Sequence, residues 1–540
     1  MRRAWVVAVV VALAAAGCAK SSNASPGTGN KATSGPTTTL KPQNGGIVNI
    51  GVGAETDGWN PTSSEWAANS YTEAQAFFDP LMAWAASGQP VPYLAKSVTH
   101  SANYKTWTIG LRPGINFTNG QACNAAAVVL QLTDDKKSLL VGQALGPMVN
   151  AVAVNNLTVR VNMATPWVAF PSILASQAGY MAAPAQLDST TTSTTQPIGT
   201  GPFIFKQWNV NSTLTVVRNP HYWRKNVIHA NEIVFHVYTD PTTELQALQA
   251  GQLQFMTTSE AAQIKQLQAS KQYPMFLQYP DQPAFIMLNT EAKPLNNRDL
   301  RLALEYATNQ QQLIQDIDEG LGSVTTEPYK SSSKWYVPSG YPMHADVAKA
   351  KQLVADYHHQ TGTSGPVQFT LGCTNSGTNP QAMQLLQAQW QQVGIDVTLS
   401  FTEQATYINN AIFGDYQANC WTQFGSPDPD IDATWWLSSN VHPIGAPALN
   451  FARLSDPITD RELALARETP NQAARRAAYG EVWKQFAQQA PYIWLGRGPN
   501  ALVSAPNCHG IGDMVLPNGE KQIGLGADAV PWITQLWLSS

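Results

Sequence analysis

Four groups of residues in this 540-residue chain have types and spacings that could do chemistry. Ser331-Ser332-Ser333-Lys334 fits Ser-x-x-Lys, in which a lysine helps to activate a serine nucleophile. That chemistry needs companions, yet no Ser-Asp-Asn or Lys-Thr-Gly follows, and the chain has neither a Gly-x-Ser-x-Gly elbow nor a His-Glu-x-x-His helix. The run reads as a polar loop. Asp428 and Asp430 can be posed as the paired carboxylates of a glycosidase. Two residues apart on a proline-containing turn, they are better suited to Asx-type hydrogen bonds. His358 and His359 suggest a metal, but adjacent side chains on a helix diverge, so both read as solvated. Cys123, Cys373, Cys420 and Cys508 lack short Cys-x-x-Cys spacing and nearby His pairs. In an exported chain four cysteines suggest disulfides, with three possible pairings. No catalytic residue, metal site or cofactor is assigned.

Composition bounds what must position such groups. The length exceeds what one core usually supports, and the apolar share of 44% is ample for two lobes. Charged residues make up only 13%, the net charge is -4, and the Lys and Arg are thinly scattered. A nucleic-acid interface would need a basic stripe with interleaved aromatics, so that class is excluded. Most of the 17 tryptophans must pack cores, although rings at a cleft can also sandwich a ligand. Arg2 and Arg3 precede an apolar run from Trp5 to Ala16, which is an export signal over residues 1–17 rather than a spanning helix. Residues 18–44 are dominated by Ser, Thr, Gly, Asn, Pro and Lys and read as a flexible tether.

The stretch from Pro197 to Trp223 turns at Gly199-Thr200-Gly201-Pro202, runs as a strand to Trp208, turns again over residues 209–212 and returns through Leu214 to Val217. It ends in Arg218-Asn219-Pro220-His221-Tyr222-Trp223. This string resembles a signature of the large extracytoplasmic solute-binding proteins of ABC importers, the peptide/nickel class of family 5. Leu111, Arg112, Gly114, Phe117 and Gly120 resemble a second stretch of that family, and Trp390-Gln391-Gln392-Val393-Gly394-Ile395-Asp396-Val397 a third. Likewise, Ala15-Ala16-Gly17-Cys18 resembles a lipobox, with Ala15 where leucine is usual. This would make Cys18 the lipidated first residue of the mature chain; plain secretion is the alternative.

The resemblance implies an α/β, two-lobed fold like that of periplasmic binding proteins (type II, large peptide-binding class) with an extra subdomain in the first lobe. The expected boundaries are 45–282 for lobe I, with an inserted subdomain at about 62–195, then 283–489 for lobe II and 490–540 for the return to lobe I. Apolar spacing predicts a core helix over 71–85, and Asn297 is suited to cap a helix with Leu300, Leu304 and Ala307 on one face. An α/β unit is expected from Val367 through a helix over 379–393 to Ile395.

Ligand-binding candidates follow from both sources. By resemblance, Trp59 and Asn60 stand at the lip of the cleft, while Trp421, Asp428 and Pro429 match a cleft element of peptide-binding relatives. The aspartate that in those relatives receives the peptide ammonium is replaced by Phe424. Ligands bind beyond the carboxyl ends of strands in open sheets, which nominates Asn375 and Ser376; Gln423 adds an amide. Cys373 and Cys420 fall near the ends of neighbouring strands of the second lobe and are expected to pair, leaving Cys123 with Cys508. The implied protein is a monomeric lipoprotein outside the cytoplasm that captures a peptide or other small polar solute and delivers it to an ABC permease, touching the membrane through its lipid alone. An exported hydrolase is the alternative.

Overall fold

The computed structural model describes residues 40–139, 141–511, 513–523 and 530–540. Two sheets organise it. Seven strands stand in the spatial order Met275–Gln278, Asn500–Ser504, Phe255–Thr258, Ile47–Val52, Glu232–Val237, Thr213–Arg218 and Phe203–Asn209. Five stand in the order Ile395–Thr402, Val367–Thr374, Ala418–Thr422, Ala284–Leu288 and Tyr492–Gly496. The chain therefore passes between the sheets at 279–283 and returns at 497–499. The return expected at 490 is corrected, because Tyr492–Gly496 pairs antiparallel with Ala284–Leu288 inside the second lobe. Its Tyr492, Ile493 and Trp494 are buried there, which gives it a place in that sheet rather than in the connection.

A third sheet of four antiparallel strands lies within residues 95–163 and packs on the Ala125–Lys137 helix. The core of this subdomain gathers residues from Leu81 to Ala183, with Met514, Leu516 and Trp532 from the end of the chain. The helix expected over 71–85 is shorter: it spans Ala68–Phe77 and is followed by a strand at Met82–Trp84. Pro80 explains this, since proline disfavours helical backbone at Asp79 and supplies no N–H of its own. Ala74, Ala76 and Phe77 of the helix pack in the core of the seven-stranded sheet. Asn297 caps the Arg298–Ala307 helix through Leu300 N (3.1 Å) and buries Leu300, Leu304 and Ala307.

The family-like hairpin has a packing role. Its edge is seated against the end of the Ala68–Phe77 helix, where Gly201 N donates to Phe77 O at 2.7 Å. A Cβ on Gly199 would lie 2.1 Å from Phe77 O, and one on Gly201 2.3 Å from Phe77 C, so only glycine permits the approach. Asn219 donates through Nδ2 to Gly201 O, closing the loop onto the turn. Tyr222 and Trp223 then donate to Asp79 at 3.0 and 2.8 Å, which joins lobe I to the subdomain.

Burial pushes the Asp79 carboxyl up to about 7 against the bonds from Trp223 and Tyr222. The folded chain therefore keeps this proton between about pH 4 and 7 while the unfolded chain loses it. Stability falls as pH rises through that window, by up to about 1.4 kcal/mol per pH unit. Unfolding in urea at pH 4.5 and 7 is expected to show a smaller decline for Asp79→Asn than for the wild type. Parallel declines would mean that Asp79 is already ionised in the folded protein.

Candidate functional site

The carboxyl ends of Val367–Thr374 and Ala418–Thr422 lie side by side, because the two strands pair in parallel at Leu371 and Gly372. Cys373 and Cys420 form a disulfide with their Cα atoms 5.1 Å apart. It ties together the two loops that leave this edge. One carries Asn375 and Ser376, both exposed; the other carries Trp421 and Gln423, both half-buried. Trp421 stacks on Tyr407 with centroids 5.4 Å apart, meets the edge of Phe451, and donates from Nε1 to Gln423 Oε1 at 3.0 Å. The Asn375 loop reaches lobe I, where a Cβ on Gly377 would lie 2.3 Å from Glu260 Oε1. This edge of lobe II therefore faces lobe I, and it holds four of the sequence-nominated residues.

The others are placed elsewhere. Trp59 has no exposed surface; it packs against Phe77 and Trp208 in the lobe I core and is covered by the Ser/Thr-rich loop, whose Thr194 O accepts from Trp59 N. Asn60 is buried, and its Oδ1 accepts from Thr62 N and Thr62 Oγ1, so its amide closes a turn. Phe424 is also a core residue, stacked on Phe285 at 5.1 Å and tilted against Trp436. The apolar surface it would have offered a ligand is spent on lobe II.

Asp428 does not wait for a ligand ammonium. Arg475 grips it at both oxygens, 2.7 and 3.0 Å, and Asp430 N also donates to its Oδ1, the expected Asx-type bond. Pro429 is buried between the two aspartates. Asp430 accepts from Trp167 Nε1 of the subdomain (2.5 Å) and from Arg467 Nε (2.8 Å), with the Arg467 guanidinium 5.6 Å over the Trp167 ring. Asp432 accepts from Ser426 Oγ and Tyr329 OH. The acidic run thus braces lobe II internally and clips it to the subdomain.

Cys123 and Cys508 are buried free thiols in separate cores, that of the subdomain and that of lobe I, so the second expected disulfide is not formed. Ser331 and Ser332 are exposed loop residues, while the Lys334 ammonium lies 5.2 Å over the Trp335 ring. His358 meets Thr363, and among the described residues no cluster of His, Cys, Asp and Glu is arranged for a metal. Cys18 and the export segment lie outside the described residues. A recess of about 470 Å³ lined by Lys96, Arg112, His221, Trp223 and Lys225 opens between the subdomain and lobe I, with no lobe II residue on its wall. Tyr407 and Glu260 escape sequence reasoning because each reaches this edge from a helix or turn with no motif of its own.

Two sheet-centred lobes joined by two crossings, with loops at the strand ends of one facing the other, define a two-lobed binding protein. The model of bacterial extracellular solute-binding proteins, family 5 (Middle), matches residues 89–443, and the chain belongs to that family. It is 28% identical over 458 residues to a glutathione-binding protein GsiB of Pectobacterium atrosepticum, covering 83% of this chain and 88% of that one. It is 26% identical over 462 residues to the nickel-binding periplasmic protein of Escherichia coli, covering 81% and 87%. Among solved structures, the periplasmic binding protein DppA of Helicobacter pylori with the peptide STSA has a TM-score of 0.81 at 21% identity, covering 92% of this chain and 99% of that one. The oligopeptide-binding protein AppA of Bacillus subtilis with a nonapeptide has a TM-score of 0.80 at 18% identity, covering 93% and 100%. The family makes this chain a solute-binding protein of ABC importers rather than an enzyme.

Removing one partner of a buried ion pair strands the other charge, which typically costs about 3–5 kcal/mol. Asp428→Asn is expected to lose stability on that scale in urea unfolding at pH 7, and Asp428→Leu with Arg475→Met to recover part of it. A loss below about 1 kcal/mol would free Asp428 for a role in binding.

Proposed function

We propose that this chain is the substrate-binding lipoprotein of an ABC importer, anchored through Cys18, and that it hands a peptide or other small polar solute from the interlobe cleft to a membrane permease. In this reading Trp421 supplies an aromatic wall, while Asn375, Ser376 and Gln423 supply hydroxyl and amide partners. The ligand class rests on one observation. Asp428, Asp430 and Asp432, the carboxylates that follow Trp421 in the same segment, are all buried and all engaged by protein donors. A solute ammonium placed against this edge finds no free carboxylate in that run, and an unpaired charge in a closed cleft costs several kcal/mol. The cleft suits a neutral or N-blocked peptide, a glycoside or a similar polar solute. Phe424 supported the same conclusion from sequence, but as a core residue it no longer carries it.

Material released from the purified protein by denaturation is expected to contain one unmodified solute in near-equal amount by mass spectrometry. Calorimetry with free and N-acetylated di- to pentapeptides is expected to show the acetylated forms binding at least as tightly. Tight binding confined to free peptides would overturn the ligand class. Intact-mass analysis of membrane-extracted protein is expected to find acyl chains on Cys18 and no residue before it; an unmodified cysteine would mean that the chain is simply secreted.

A further inference from the structure

Glu260 stands at the start of the Ala261–Ser270 helix of lobe I, yet its carboxylate does not cap that helix. The turn is tied instead by Thr258, whose hydroxyl donates to Gln263 Oε1 at 2.8 Å and accepts from Glu260 N at 3.1 Å. The Glu260 side chain is thereby left to point at lobe II. There its carboxylate faces the backbone at Gly377 and Thr378, and its Oε1 occupies the space that a Cβ on Gly377 would need, 2.3 Å away.

Thr378 is the N-cap residue of the 13-residue helix Asn379–Gln391. Its own side chain makes no capping bond, and no acidic residue stands in the first turn. Asn379 N already donates to Ser376 O at 3.2 Å and Pro380 has no N–H, so this helix start offers an anion the Thr378 N–H and the positive end of the helix dipole. Lobe I therefore supplies a cap that this helix does not supply for itself. One turn further along the same lobe I helix, Lys265 pairs with Glu319 of lobe II at 3.1 Å. The receiving loop begins at the Cys373–Cys420 disulfide, so it is held in place on the lobe II side.

We propose that Glu260 is a positioning residue for solute capture: it caps a helix of the opposite lobe only when the lobes are closed, and so favours the closed state without touching the solute. A contact that exists in one of two states shifts their balance by its own free energy. Affinity for whatever lies between the lobes rises accordingly, a consequence that rests on the capture reading above. The clasp itself is a property of the two lobes and can be measured without knowing the solute.

Hydrogen exchange on the full chain as purified reads it directly. Glu260→Ala is expected to speed exchange of the Thr378 amide by about fivefold, the scale of a lost cap, and to raise the radius of gyration in X-ray scattering. Glu260→Gln, which keeps an acceptor oxygen but no charge, is expected to fall between Glu260→Ala and wild type. Unchanged exchange at Thr378 in Glu260→Ala would overturn the proposal. So would faster exchange spread through the Ala261–Ser270 helix, which would make Glu260 a structural residue of lobe I. The capture reading is judged separately, by the co-purified solute.

Discussion

Among the described residues the chain crosses twice between the two sheets, and one buried cation ties the crossings together. Arg497, in the second crossing, donates from Nε to Asp281 O of the first at 2.9 Å, and its other nitrogens reach the Thr325 hydroxyl and the Glu327 carbonyl. Ser323 and Arg497 also exchange backbone bonds. Burial pulls the guanidinium down to about 10, while Asp281 and Glu327 hold it charged. A charge so enclosed is tolerable only where every N–H has a partner, which fixes the two crossings relative to each other. The loops that meet across the cleft can approach or part while both sheets stay intact.

The residues most legible in sequence turned out to be those with the strictest packing demands. The Gly199 to Trp223 string reads as a hairpin from local turn chemistry alone, and its odd features follow from contacts that no other residue types could make. Two glycines admit the backbone of Phe77, and Tyr222 and Trp223 each need the same buried carboxylate. Such a motif reports the fold, because it records close approaches. It says little of the solute, since its contacts at Gly199, Gly201, Asn219, Tyr222 and Trp223 are all made to the protein itself. The disulfide was legible for a related reason: strand order in an α/β lobe brings the ends of neighbouring strands together, whatever the ligand.

What sequence could not separate was a ring that lines a cleft from a ring that fills a core. Trp59 and Phe424 sit in loops that the resemblance places near the opening, but burial depends on what comes from far along the chain. The Ser/Thr-rich loop covers Trp59 from about 130 positions away, and Phe285 stacks on Phe424 from another strand. Phe424 even takes a left-handed backbone (φ +73°), a cost repaid by its aromatic packing. The missing Cys123–Cys508 bond is the same lesson in another form. Two leftover thiols in an exported chain invite pairing by elimination, yet each is packed in its own core and is as well placed as a small apolar side chain.

The acidic run of lobe II shows how one composition serves two ends. With few charged residues in the chain, the buried carboxylates of this run draw their partners from a small number of cations and polar hydrogens, and Arg475, Arg467, Trp167, Ser426 and Tyr329 take these places. The Trp167 bond spans from subdomain to lobe II, so the same segment that stiffens lobe II also sets where the subdomain rests against it. A segment pinned on both sides is held in one arrangement, because moving it breaks buried charge-assisted bonds on the subdomain side and on the lobe II side together. The amide and hydroxyl groups left outside that bracing stand on the disulfide-tied loops at Asn375, Ser376 and Gln423, where a substitution disturbs neither core.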